Sequence, residues 1–419
     1  MNPTTSQRVP AETVTSRDTI TPKETLLGAD GVRAIACLMV VFSHLFQRLS
    51  LPDQTPLMQN IQVFFMKGSF GVSVFFVLSG LLLSYPFWQR YLAGKPFPNI
   101  REYMRRRAIR IMPGFYASLL VSFFVSLYFV KDVEQPWLRL LSGATFTSAF
   151  HYLTFFPVDL NGPLWSIGFE VVCYVLMPLA MLGLFMFKKR TPLLAWLYWL
   201  GVMGLVLALN QVVVTYVVPE NVNRGWQYGI VGGAKFWMPQ YNPVGFFAQY
   251  ILGIFAAGFI AWWKTRQGKR HWLFDIVSLL SLVSLVLLLW WRRYPPEPDM
   301  RFSFQGQPYF FPLFPGLVAV LLATLPFSLL TGQLMDNPFA RYTAKVSFGL
   351  YVWHYLLLEL IRLLYDDKWS YFGIKTLPVH VAFSITALAL SYGVATLSYY
   401  FIEKPFLRRN SLTTRVQSP

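Results

Sequence analysis

The sequence predicts an all-α protein: a polytopic membrane helix bundle of about ten transmembrane helices with both termini cytoplasmic. Three observations carry that expectation. Apolar runs of about 20 residues recur along the chain, the length at which a helix crosses a hydrocarbon core of about 30 Å. The composition is 55% hydrophobic and 18% aromatic with only 13% charged residues, and the mean hydropathy is +0.45. The basic residues gather on alternate connections between the runs.

Residues 1–27 are polar and rich in Thr, Ser and Pro, which reads as a disordered cytoplasmic tail. They lack the short apolar core of a signal peptide. Spans are then expected at about 32–50, 68–88, 112–131, 164–187, 191–218, 244–263, 273–292, 308–331, 345–365 and 378–402. The first opens on DGVRAIACLMVVFSH, Asp30 to His44, where Asp30 suits a helix N-cap and Arg33 a snorkelling anchor. The second contains VFFVLSGLLL, in which Ser79 and Gly80 suit close helix packing. RRRAIR, Arg105 to Arg110, leads into the third. Pro163, Pro192 and Pro378 stand near span starts, where a missing amide donor costs little. The stretch 137–158 is apolar enough for an interfacial or re-entrant segment. FIEKPF closes the last span as a helix stop with a basic anchor, and residues 408–419 form a second cytoplasmic tail.

Placing the N-terminal side in the cytoplasm puts 24 of the 36 Lys and Arg residues on that face. Most of the formal +17 charge then needs no partner beyond anionic membrane lipid, and nucleic acid is not implied. The two cysteines, Cys37 and Cys173, lie inside apolar runs and form neither a disulfide framework nor a zinc pattern. There is no Walker loop, dinucleotide fingerprint or HExxH, so no metal is expected.

Four constellations could carry chemistry. Arg33 and His44 have ten residues between them, roughly 16 Å along a helix. Arg33 thus sits at one surface while His44 lies past the midplane, where an ionisable group is costly and marks function. Arg107 and Arg110 share one helix face, and two guanidinium forks suit a multiply charged phosphate ligand. Glu170, in PLWSIGFEVVCY from Pro163 to Tyr174, reaches a depth similar to His44 from the opposite end of its span. A carboxylate there could orient the imidazole. Ser347, Tyr351 and His354 fall at i, i+4 and i+7, one polar stripe, and Glu359 and Arg362 stand at pairing distance further on.

Together these blocks resemble acyltransferase family 3, the integral membrane acyl-CoA-dependent O-acyltransferases, in order from Asp30 to Pro405. DGVRAIA is similar to the family's DGLRAIA, and Arg33 to His44 matches its Arg/Lys-x10-His pattern. VFFVLSG, the Arg107/Arg110 pair, LWSIGFEV with Glu170, SFGLYVWH ending on His354, and FIEKPF follow in family order. Val171 stands where a second acidic residue often follows, and Phe348 where a hydroxyl is usual. The resemblance makes 28–407 a membrane acyltransferase domain of the bacterial inner membrane. It implies transfer of an acyl group, usually acetyl, from cytoplasmic acyl-CoA to a hydroxyl of an extracytoplasmic or lipid-linked glycan. Similar chains serve lipopolysaccharide, exopolysaccharide, periplasmic glucan and small glycosides. Arg33, Arg107 and Arg110 are then expected at the CoA phosphates. His44 becomes the catalytic base or an acyl-carrying nucleophile with Glu170 as its orienting carboxylate, and Trp165, Ser347, Tyr351 and His354 are substrate-binding. No SGNH-type hydrolase domain is appended in this sequence, so the chain is expected to finish transfer itself or with an unlinked partner. The rival reading is a proton-coupled glycan or lipid transporter without chemistry, against which the lack of repeated halves speaks.

The charge asymmetry generates a test. A Lys95→Cys variant should resist an impermeant thiol reagent applied outside intact cells and label once the membrane is opened. Labelling from outside would reverse the orientation.

Overall fold

The computed structural model describes residues 26–295 and 300–408, so nearly all of both expected tails lies outside the described residues. Its helices are α1 Ala29–Phe46, α2 Pro56–Met66, α3 Gly71–Leu92, α4 Ile100–Phe129, α5 Pro136–Ala144, α6 Trp165–Phe185 and α7 Pro192–Tyr216. There follow α8 Gly229–Trp237, α9 Pro243–Thr265, α10 Trp272–Trp291, α11 Leu313–Thr324, α12 Thr331–Met335, α13 Pro338–Tyr365 and α14 Leu377–Leu397. Among the described residues extended backbone pairs in one isolated parallel bridge, Leu49 with Ile374.

Nine described helices are long and apolar enough to cross a membrane, and the chain is an integral membrane protein. The second of them runs unbroken from Pro56 to Leu92, because a 3-10 turn at Lys67–Phe70 joins α2 to α3. The eighth expected span, 308–331, is shorter than predicted. Its helical part is Leu313–Phe327, about 22 Å by helix rise against about 30 Å of hydrocarbon. Pro326 lies in the 3-10 turn that ends it. This short helix is packed inside the protein on α3, α9 and α10 rather than facing lipid alone. The third span also differs: α4 starts at Ile100, so Arg105 to Arg110 are inside the helix rather than ahead of it.

The bundle is built around α3 and α9. Gly80 lies against the carbonyl of Tyr250 and Gly253 against that of Val77, closer than any side chain would permit. In lipid, small residues at such crossings drive association through van der Waals contact. One edge of α3 then receives α1, whose other side meets α13, and α13 in turn carries α14. Polar glue crosses the apolar interior. Ser118 on α4 donates to the Val352 carbonyl at 2.7 Å, and Asn161 donates to Ser122 and to the same carbonyl at 3.0 and 2.9 Å. By contrast α7 and α10 leave large apolar side chains such as Leu193, Leu200, Leu279 and Leu287 exposed, as lipid-facing helices do.

Two local readings change. Asp30 is not the N-cap of α1. Gly28 holds that place at φ +85°, and the Asp336 carboxylate, from beyond α12, accepts the Gly28 and Gly31 amides at 2.7 and 2.8 Å. Asp30 instead pairs with Arg33 at 3.0 Å. The 137–158 stretch folds as α5 and a compact loop. Arg139 is its buried post, donating to the Phe156 carbonyl at 2.9 Å and to Asp159 at 2.8 Å. Glu359 and Arg362 pair as expected, at 2.8 Å, and Glu359 also holds the buried Arg48 at 2.6 Å.

The α3–α9 crossing is testable. Gly253→Ala forces a methyl against a backbone carbonyl and should destabilise the protein by roughly 1–3 kcal/mol. Gly201→Ala, on α7 with nothing within 4 Å of the added carbon, should be neutral or slightly stabilising. Thermal unfolding in detergent distinguishes the two.

Candidate active site

Helix α1 links two cavities. Near its start Arg33 reaches a narrow one of about 120 Å³, and near its end His44 lines a wide one of about 560 Å³. Val72 and Tyr351 border both.

The narrow cavity collects three guanidiniums from two helices: Arg33 of α1, and Arg107 and Arg110 of α4. One turn of α4 separates the last two, which places both on the face turned toward α1. The Nε of Arg107 is buried and has no hydrogen-bond partner among the described residues. A buried donor left unmade costs free energy until something accepts from it. Among the described residues one carboxylate lines this cavity, Glu170 of α6, and it accepts from Ser79 at 2.9 Å and from Tyr174 at 2.5 Å. Glu403, from the π-helical turn that continues α14, is buried alongside Arg110. Ser347 is also in this wall, its hydroxyl turned back to the Ala344 carbonyl at 2.8 Å.

In the wide cavity His44 and His354 meet, Nδ1 to Nε2, at 2.9 Å. The tautomers follow from the remaining contacts. His354 Nδ1 lies 2.8 Å from the Tyr351 carbonyl and 3.1 Å from the Leu350 carbonyl. A carbonyl can only accept, so that nitrogen carries the proton. In a neutral ring His354 Nε2 is then bare and accepts from His44 Nδ1–H. His44 is thereby held with its Nε2 unprotonated. Tyr355 closes on the ring edge-on with centroids 4.9 Å apart, and Arg48 stands over Tyr355 at 5.5 Å.

The structure therefore brings together Arg33, Arg107 and Arg110, as the sequence suggests, and sets Glu170 beside them rather than beside His44. The partner that orients His44 is His354, which the sequence reading places at the substrate. Trp165 does line the wide cavity, stacked on Phe155 with centroids 5.6 Å apart. Tyr351 stands between the cavities, its hydroxyl fixed by Ser166 at 2.6 Å and the Pro163 carbonyl at 3.2 Å. Sequence reasoning missed Ser79 and Glu403. Ser79 looks like a packing residue, and only its contact with Glu170 shows otherwise. Glu403 carried a signal, because an acid within a terminal block otherwise apolar and basic needs a reason.

Comparison with known proteins adds a decisive observation. A family model described as an acyltransferase domain matches residues 26–396, nearly all of the described chain. This chain belongs to acyltransferase family 3. Within the family it is similar to the O-acetyltransferase OatA of Staphylococcus aureus (strain NCTC 8325 / PS 47), 24% identical over 92% of this chain and 57% of that protein. It is similar also to YrhL of Bacillus subtilis (strain 168), named "Putative peptidoglycan O-acetyltransferase", 24% identical over 90% of this chain and 54% of YrhL. The chain thus spans little more than half the length of these relatives. No solved structure matches. Family membership and the nine apolar helices make this acyltransferase family member an integral protein of the bacterial inner membrane.

The tautomer assignment predicts a spectroscopic result. In protein labelled with 15N-histidine, His44 should show a protonated Nδ1 and a bare Nε2 at neutral pH. His354→Phe removes the acceptor and should allow the two tautomers of His44 to mix.

Proposed function

We propose that the protein transfers an acyl group, most simply acetyl, from cytoplasmic acyl-CoA to a hydroxyl of an extracytoplasmic or lipid-linked glycan. The observation that carries this reading is the pairing of an arginine-lined cavity with a bare imidazole nitrogen in the cavity next to it. The clustering of basic residues on the 88–111 and 188–190 connections supports an arginine cavity open toward the cytoplasm. Several of those connections are tied to one another, Arg190 to the Lys95 carbonyl at 2.6 Å and Arg270 to the Ser328 carbonyl at 2.7 Å. The family match supports chemistry rather than a carrier.

In this reading Arg33, Arg107 and Arg110 hold the CoA phosphates, and the pantetheine arm brings the thioester past Tyr351 to His44. The roughly 16 Å between Arg33 and His44 suits that arm. His44 Nε2 takes the proton of the acceptor hydroxyl as its oxygen attacks the thioester carbonyl. The tetrahedral intermediate expels the CoA thiolate, which recovers the proton from the imidazolium. His354 Nε2 accepts from His44 Nδ1–H throughout, as the carboxylate does in a Ser-His-Asp triad. Two backbone carbonyls fix His354 in turn. Glu170 balances charge at the donor cavity. Trp165 and Tyr351 position the acceptor.

His44→Ala should abolish transfer in proteoliposomes while CoA binding by calorimetry stays near wild type. His354→Ala should lower kcat sharply, and His354→Gln, whose amide oxygen can still accept from His44, should recover part of it. Arg107→Ala and Arg110→Ala should each weaken CoA binding by about 10- to 150-fold, equivalent to roughly 1.5–3 kcal/mol, and reduce its salt dependence. Transfer retained in His44→Ala would remove the imidazole from the mechanism. Unchanged CoA affinity in the double arginine variant would make that pair a lipid anchor.

A further inference from the structure

We infer that the wide cavity selects an uncharged sugar and rejects anionic ones, an inference resting on the reading of that cavity as the acceptor site. Three features support it. The first is the wall. Trp165, Trp226, Trp237, Tyr241 and Tyr309 line the space, with Trp237 and Tyr241 stacked at 4.4 Å and Trp226 edge-on to Trp237 at 5.4 Å. The C–H face of a pyranose buries well against such rings, while a rim of polar atoms must meet its hydroxyls.

The second is which polar atoms remain open. Many of the tyrosine hydroxyls are already engaged: Tyr241 with Tyr309, Tyr355 with Tyr371, and Tyr351 with Ser166. Beside Ser69 and Asp159, the polar lining includes His44, with its bare Nε2, and Gln47, one turn beyond it, whose buried Oε1 has no partner among the described residues. The unpartnered oxygen calls for a donor, and a sugar hydroxyl supplies one beside the catalytic nitrogen.

The third is the charge. Among the described residues no Lys or Arg lines this cavity, and the one acid that does, Asp159, is matched by Arg139 at 2.8 Å. A second guanidinium behind its wall, Arg48, is matched by Glu359 at 2.6 Å and covered by the rings of Tyr355 and Tyr371. A carboxylate or phosphate on the sugar would lose its water and find no counter-ion. The cavity thus differs from the neighbouring one, which concentrates three arginines. The two chambers sort ligands by charge: anion at the donor end, neutral ring at the acceptor end.

The test reads binding, not turnover. Three tryptophans in the wall make intrinsic fluorescence a reporter for purified protein in detergent, titrated with cellobiose and with digalacturonate. Cellobiose should shift the emission saturably, with at least about tenfold higher affinity than digalacturonate. Gln47→Lys should install the missing cation and raise digalacturonate binding by about tenfold or more. Equal affinity for the two sugars in the wild type, or no saturable response to either, overturns the inference. So does a saturable response to octanoate in place of sugars, which would make the cavity an acyl-chain site. Sugar selectivity without any acyl transfer in proteoliposomes would leave this inference standing and remove the proposed activity. Transfer to digalacturonate as fast as to cellobiose would do the reverse.

Discussion

The hydrogen bond between His44 and His354 depends on an asymmetry that costs the protein little: a backbone carbonyl cannot donate. Because His354 Nδ1 faces two carbonyls of its own helix, the protons of both rings are placed without any buried charge. A carboxylate would orient His44 as well, but it would add an ionised group to a region where hydrocarbon surrounds the bundle and desolvation is expensive. A pair of neutral imidazoles achieves the same tautomer at lower cost. The arrangement requires α1 and α13 to lie side by side, and that contact rests on the packing of α1 against α3.

The second constraint is the close approach of α3 and α9. Two glycines, Gly80 and Gly253, let the helices meet backbone to backbone. That contact puts Ser79 within reach of Glu170 and sets Val72 between the two chambers. Charged and neutral binding surfaces are consequently separated by little more than one side chain, Tyr351, held by Ser166. Such separation suits the proposed reaction, which brings an anionic donor and a sugar hydroxyl to one point.

Several buried charges in this protein have a carboxylate or backbone partner. Asp336 caps α1, Glu359 holds Arg48 and Arg362, and Asp159 holds Arg139. Arg107 keeps a buried Nε without a partner. Three guanidiniums gathered around one carboxylate make that cavity chemically suited to an anion.

Much of this was legible from residues alone. Apolar run length located the spans, because hydrocarbon tolerates no unpaired backbone and a helix needs about 20 residues to cross it. Motif order identified the family, and helix periodicity put Arg107 and Arg110 on one face. The errors have physical causes. The 308–331 run was apolar enough to span, but apolar composition does not distinguish a buried short helix from one in lipid. Asp30 fitted an N-cap by type, whereas the cap came from Asp336, some 300 residues on. The sequence sets Glu170 and His44 at similar depth, whereas the structure puts them in different cavities. The sequence by itself determined which residues are ionisable and which share a helix face. Only the tertiary structure decided that His44 meets His354 rather than Glu170, since neighbours across helices depend on crossing angle and azimuth, which no single span encodes.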